Sequence, residues 1–179
     1  MVRVDQSSLV LIDVQGKLAT LMFERQRLVE NLQILLKGAR ILNLPILWLE
    51  QYPKGLGPTV PEIAEILDGL DPISKTTFSA CGEQRFLDAL STTGRRQTIV
   101  AGIESHVCVY QTTRDLLADD MEVEVITDAV SSRTEANYRL GLGRMASMGA
   151  TLSSVEMCLF ELLREAGSDP FKEISRLVR

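Results

Sequence analysis

Cys108 stands in Ile99-Val-Ala-Gly-Ile-Glu-Ser-His-Val-Cys108-Val-Tyr, where an apolar run breaks at Gly102 and a helical pattern begins. Ser105 is a favoured N-cap type, and counting from it places Cys108 at the third helical position. A sulfur there lies at the positive end of the helix dipole, among amide hydrogens with no intrahelical acceptor. Such a place favours the thiolate, which is the nucleophilic form. The chemistry this suggests is covalent hydrolysis by a cysteine. Cysteine is equally a small apolar residue that cores bury, and the local sequence does not separate the two. Two other reactive side chains end short β-rich runs: Asp13 in Leu11-Ile-Asp13-Val-Gln15 and Lys75 in Ser74-Lys75-Thr-Thr. Alone, Asp13 reads as a turn or cap residue. Lys75 alone reads as a solvated edge charge that blunts strand pairing.

These three meet only if the runs that carry them belong to one sheet. Residues 8–14 are apolar on both faces, as an interior parallel strand is. A helix is expected over 25–42, with Leu28, Leu32, Leu35, Leu36 and Ala39 on one stripe. Residues 45–50 read as a second strand, 51–59 as a loop rich in Gly and Pro, and Pro61 as the first turn of a short helix. A weaker strand covers 71–77, a helix over 83–90 is ended by Gly94, and 97–103 is the clearest strand. The helix bearing Cys108 reaches residue 118, and 122–128 is another strand. Ser132 and Glu135 have capping-box spacing for the next helix. Residues 150–153 form a last short strand, a helix starts at 155, and Asp169-Pro170 opens a final one. Strands alternating with helices give an α/β fold with a doubly wound, mainly parallel six-stranded sheet. Its ligand crevice lies outside the strands' carboxyl ends, where Asp13, Lys75 and Cys108 all fall.

The chain of 179 residues suits a single domain over 1–179, since a chain this size buries roughly 70% of its extended surface. A formal net charge of −5 and the lack of a Lys/Arg cluster argue against nucleic acid as a partner. Cys81, Cys108 and Cys158 are an odd, widely spaced set that fits neither a disulfide framework nor a zinc site. A reducing compartment follows. Met1-Val-Arg-Val-Asp-Gln has no apolar leader pattern, and no apolar stretch reaches the roughly 18 residues of a membrane span. The expectation is a cytoplasmic protein with no membrane partner.

Leu-Ile-Asp13-Val-Gln15, Ser-Lys75-Thr-Thr-Phe78-Ser and Gly102-Ile-Glu-Ser-His-Val-Cys108-Val resemble, in order, the three signature segments of the isochorismatase-like cysteine hydrolases. The segments 50–59 and 128–133 are similar to the isochorismatase domain-containing subgroup, whose substrates are largely unassigned. The resemblance spans nearly the whole chain. It implies a three-layer α/β/α Rossmann-like fold, an Asp13-Lys75-Cys108 triad and a homo-oligomer. Asp13 would then accept the thiol proton and later activate water. Lys75, close to both, would stabilise the thiolate and the anions that follow. Cys108 would attack a carbonyl or imidate carbon. The backbone amides of Glu104 and Cys108 would hold the oxyanion. The resemblance also implies a cis peptide between Ile103 and Glu104.

His106 is the one histidine. Residues two apart on a helix do not share a face, so it should point away from Cys108. Related nicotinamidases use an Asp/His/His metal site. The equivalent stretch here, Trp48-Leu-Glu50-Gln51-Tyr52, has one carboxylate and no histidine, so neither a metal nor another cofactor is expected. Gln51, Tyr52 and Phe78 are candidates to line the substrate pocket, with core packing the competing reading for Phe78. Gln15 is a candidate to orient Asp13 and to bind substrate. Asp128 is expected to tie loops together by accepting backbone hydrogen bonds. Gly141 and Gly143 cost helix stability and point to close approach of another backbone, from a partner subunit or elsewhere. The retained cysteine favours a metal-independent hydrolase of a small amide or related carbon–nitrogen bond. The competing readings are a non-catalytic binding or assembly protein on a hydrolase fold, and a redox sensor at Cys108.

Overall fold

The computed structural model describes residues 1–178. One sheet contains β1 (Ser7–Ile12), β2 (Ile46–Gln51), β3 (Ile73–Lys75), β4 (Gln97–Ile103), β5 (Glu122–Ser131) and β6 (Thr151–Ser153). The strand order is β3-β2-β1-β4-β5-β6, and every neighbouring pair is parallel. The helices are α1 (Gly16–Thr20), α2 (Arg25–Ile41), α3 (Pro53–Leu56), α4 (Pro61–Ala64) and α5 (Gln84–Thr93). They continue with α6 (Cys108–Ala118), α7 (Glu135–Ser147), α8 (Val155–Leu163) and α9 (Asp169–Leu177).

Side-chain alternation along the strands builds three layers. Leu9 and Leu11 of β1, with Ile99 and Ala101 of β4, pack against Leu32, Leu35 and Leu36 of α2 and Leu159 of α8. Val10 and Ile12, with Val100 and Val125, face Phe86 of α5, Val109 of α6 and Met145 of α7. Each buried Leu or Val contributes roughly 1.5–3 kcal/mol, so both faces need covering. The chain winds outward from β1 through β2 to β3, then returns to the other side of β1 with β4. The topological switch therefore lies between β1 and β4, where a crevice opens at their carboxyl ends.

Several expected boundaries move. The weak strand contracts to 73–75, β5 extends to Ser131, and the loop after β2 contains the single turn of α3. Helix α6 begins at Cys108 with Val107 as its cap, so the sulfur is borne by the first helical residue rather than the third. Ser105 does not cap it; its hydroxyl bonds that of Ser132 at 2.7 Å. Ser132 is likewise withdrawn from the capping box, and Thr134 caps α7 by accepting from the Asn137 amide at 3.2 Å. The last helix is capped by Ser168, not Asp169. In each case a tertiary contact or a neighbouring hydroxyl outcompetes the residue with the right spacing.

Gly102 shows why β4 and β1 approach so closely. Its φ is +118°, and a Cβ there would lie 2.1 Å from the Ile12 carbonyl oxygen. Only glycine permits this contact, which brings the turn after β4 beside the residue after β1. A second glycine supports the same turn from behind. A Cβ on Gly141 of α7 would lie 2.5 Å from the Ser105 carbonyl oxygen, whereas Gly143 faces open space. The close backbone approach expected of these glycines is thus met within the chain at Gly141. Gly143→Ala is expected to raise stability by up to about 1 kcal/mol, the helix-propensity difference. Gly141→Ala is expected to lower it by about 1–3 kcal/mol through overpacking. Urea unfolding of the two variants measures the contrast, and equal shifts of the same sign would contradict the packing account.

Candidate active site

Asp13 follows β1 in a left-handed conformation (φ 54°), one that Asp tolerates better than most residues. Lys75 is the last residue of β3, two strands away. Cys108 opens α6 beyond β4. The side chains converge in the interior: Asp13 is 1% exposed, Lys75 2% and Cys108 7%. Lys75 Nζ donates to Asp13 Oδ2 at 2.7 Å. It also donates to Gln51 Oε1 at 2.6 Å, to the Phe78 carbonyl at 3.1 Å and, less closely, to the Thr77 carbonyl at 3.3 Å. A buried ammonium needs this full set of acceptors, because an unpaired charge in the interior is severely penalised.

Asp13 is satisfied on one oxygen only. Its Oδ1 is buried without a hydrogen-bond partner among the described residues. Burial raises the Asp13 carboxyl above its ordinary range, outweighing the attraction of Lys75. Cys108 neighbours this carboxylate, and burial together with the negative charge of Asp13 pushes its thiol up to about 12. The expectation of a resting thiolate is therefore corrected. Burial and the adjacent anion both favour the thiol, and Cys108 keeps its proton at neutral pH.

The turn between β4 and α6 carries Glu104 and leads to Cys108. The Ile103–Glu104 peptide is cis. Ser105 N donates to the Ser131 carbonyl at 2.8 Å, and Val107 N and Val109 N both donate to the Glu104 carbonyl. The Glu104 and Cys108 amides donate to no protein acceptor among the described residues. The Glu104 side chain is held by the Arg133 amide and Nε, each at 3.1 Å. His106 Nδ1 meets Ser132 Oγ at 3.0 Å, so its ring engages the end of β5.

The other candidates divide. Gln15 does not reach the Asp13 carboxylate. Its carboxamide binds the backbone of Gln51 in both directions, and it also donates to the Gly57 carbonyl at 2.7 Å. Gln51 has both polar atoms occupied, by Lys75 and by the Thr76 carbonyl. Tyr52 and Phe78 are each 55% exposed, which sets aside core packing for Phe78. Phe78 walls an open groove of about 620 Å³ with Ser79, Gln111 and Arg114; Asp13, Lys75 and Cys108 do not line it. Asp128 Oδ1 accepts from the Val155 amide at 2.9 Å, joining β5 to α8. The residues at the end of β2 do not fit a metal. Glu50 Oε1 takes the Thr59 amide and hydroxyl at 2.7 and 2.8 Å. Among the described residues no three His, Cys, Asp or Glu side chains converge. Among the described residues no helix is long and apolar enough to cross a membrane.

The isochorismatase domain model matches residues 7–157. The chain belongs to the isochorismatase family. It is 41% identical over 172 residues to isochorismatase domain-containing protein 2 of Danio rerio, covering 96% of this chain and 86% of that one. Among solved structures it is similar to the MAR1 ribonuclease of Caenorhabditis elegans, with a TM-score of 0.92, 37% identity, and coverage of 99% and 91%. It is also similar to YcaC of Pseudomonas aeruginosa, solved with hexane-2,5-diol and covalent acrylamide (TM-score 0.91, 27% identity, coverage 97% and 89%). YcaC of Escherichia coli, described as an octameric hydrolase of unknown specificity, matches with a TM-score of 0.87, 27% identity, and coverage of 92% and 82%. The three-layer α/β fold is thus the isochorismatase-family hydrolase fold.

In this isochorismatase-family chain the Lys75–Asp13 pair has a stability signature. Lys75→Met leaves Asp13 buried beside no counter-charge, and the expected loss is about 3–5 kcal/mol at pH 7. That loss should shrink as the pH falls, because protonation of a carboxyl whose pKa is raised relieves the uncompensated charge. Adding Asp13→Asn should restore most of it. Denaturant unfolding of the single and double variants across pH reads this directly, and additive losses would contradict the pairing.

Proposed function

We propose that the protein is a metal-independent hydrolase of a small amide or related carbon–nitrogen bond, working through Asp13, Lys75 and a covalent Cys108 intermediate. The observation that carries the reading is the lone Oδ1 of Asp13. It is a buried carboxylate oxygen without a partner, beside a neutral thiol, on a side chain anchored from its other oxygen by Lys75. A group held in this way is suited to accept a proton at one defined moment.

As Cys108 Sγ bonds to the substrate carbon, its proton passes to Asp13 Oδ1. The charge that develops on the substrate oxygen is met by the Glu104 and Cys108 amides. Collapse breaks the carbon–nitrogen bond, and the amine leaves with the proton from Asp13. Water then attacks the thioester, giving its proton to Asp13. Collapse releases the acid and returns the proton to Cys108. Lys75 holds Asp13 in place through Oδ2 throughout and favours its ionised form between proton transfers. Its donors are already engaged, so it bonds the carboxylate directly and reaches the sulfur only through its charge.

Two neighbours support parts of this reading. Pseudomonas aeruginosa YcaC carries covalent acrylamide, as expected of a fold that presents a nucleophile. The octameric state of Escherichia coli YcaC supports a homo-oligomer here. The name of the Caenorhabditis elegans neighbour raises ribonuclease activity as a second reading. A net charge of −5 and a base buried to 1% exposure favour a small molecule over RNA.

A panel of small amides and ureas, screened for acid or amine release, tests the proposal. Cys108→Ala should abolish turnover, and Asp13→Asn should lower kcat by roughly 10²–10⁴-fold, the usual contribution of a general base. Intact-mass spectra of the wild type during turnover should show an acyl adduct on Cys108. Turnover that survives Cys108→Ala, or RNA cleavage in place of amide hydrolysis, would overturn the assignment.

A further inference from the structure

The β1–β2 pairing ends at Ile12 and Leu49, two residues before Gln51. On its other edge Gln51 still pairs with Lys75. Its β1-facing backbone groups therefore have no strand partner, and the side chain of Gln15 takes that role. Gln15 Oε1 accepts from the Gln51 amide at 2.6 Å, and Gln15 Nε2 donates to the Gln51 carbonyl at 3.1 Å. Both Gln15 and Gln51 are buried. The Gln51 side chain then points one way only. An ammonium can only donate, so the atom at 2.6 Å from Lys75 Nζ is the carbonyl oxygen. The amide nitrogen completes the clamp by donating to the Thr76 carbonyl at 2.8 Å.

We infer that Gln51 is a positioning residue that holds the Lys75 ammonium against Asp13 Oδ2, and that its lack of charge leaves Asp13 Oδ1 able to accept the thiol proton. The inference rests on the reading of Asp13 as the base. Gln15 acts one step further back, by fixing the backbone of Gln51. With Gln51 neutral, the one carboxylate and the one ammonium in direct contact balance. A glutamate of the same shape would place two carboxylates about a single ammonium, and the added charge would make Asp13 harder to ionise.

The test uses acrylamide as a neutral probe of Cys108, with the adduct located by peptide mass and its rate followed against pH. The rate should fall on the acid side as Asp13 takes up a proton. In Gln51→Glu, which keeps the shape and the acceptor, this acid limb should move to higher pH by about one unit. Gln51→Leu and Gln15→Leu should slow labelling at pH 7 about tenfold, the effect of one lost charge-assisted hydrogen bond. A limb that stays in place in Gln51→Glu overturns the inference, whether or not the leucine variants fold. Asp13→Asn separates this from failure of the underlying reading: if it labels at the wild-type rate, Asp13 is not the base.

Discussion

The buried contact between Lys75 and Asp13 is the constraint on which the rest of the site depends. Two opposite charges out of water are tolerated only where every remaining donor and lone pair is answered. That requirement shapes three loops. The segment after β3 turns so that the Phe78 and Thr77 carbonyls face the ammonium. The end of β2 supplies Gln51, and the end of β1 bends left-handed to present Asp13. In this cluster, among the described residues, Asp13 Oδ1 is the one buried side-chain oxygen with no hydrogen-bond partner. The ion pair therefore leaves one oxygen without a partner, on the carboxylate that neighbours Cys108.

The sulfur's own setting pulls in two directions. A cysteine at the start of a helix gains from the helix dipole and free amides. This one also sits in a nearly closed interior beside an ionised carboxylate, and those two effects win, raising the thiol well above its ordinary range. Under the proposed mechanism, the nucleophile stays neutral until an electrophile is in place. In that mechanism charge would arise together with the oxyanion that the turn amides would receive, and the net charge of the interior would not change on proton transfer from sulfur to carboxylate.

Much of this was legible in the chain itself. Apolar runs without alternation at 8–14 and 97–103 mark interior parallel strands, because both faces of those strands are covered by helices. The positions of Asp13, Lys75 and Cys108 after such runs place them at one end of the sheet, since parallel strands share a direction. The small residue at 141 signals a close backbone approach, although the sequence does not say whose backbone. Three features were not legible. Ser105 and Ser132 have the composition of caps, but they bond each other across 27 positions. Gln15 and Gln51 serve Lys75 through a contact that exists only once β1 stops pairing with β2. The raised thiol pKa depends on burial and on a neighbouring carboxylate, neither of which local spacing encodes. In each case a long-range contact overrides a local preference, and no periodicity reports it.

The state of the resting sulfur is the most direct check on this account. Thiolate absorbance of the free protein, taken as the difference from Cys108→Ser across pH, isolates the ionisation of that one group. The account predicts no Cys108 thiolate at pH 7 and ionisation only well above the ordinary cysteine value of 9.0. A thiolate already present at pH 7 would contradict it.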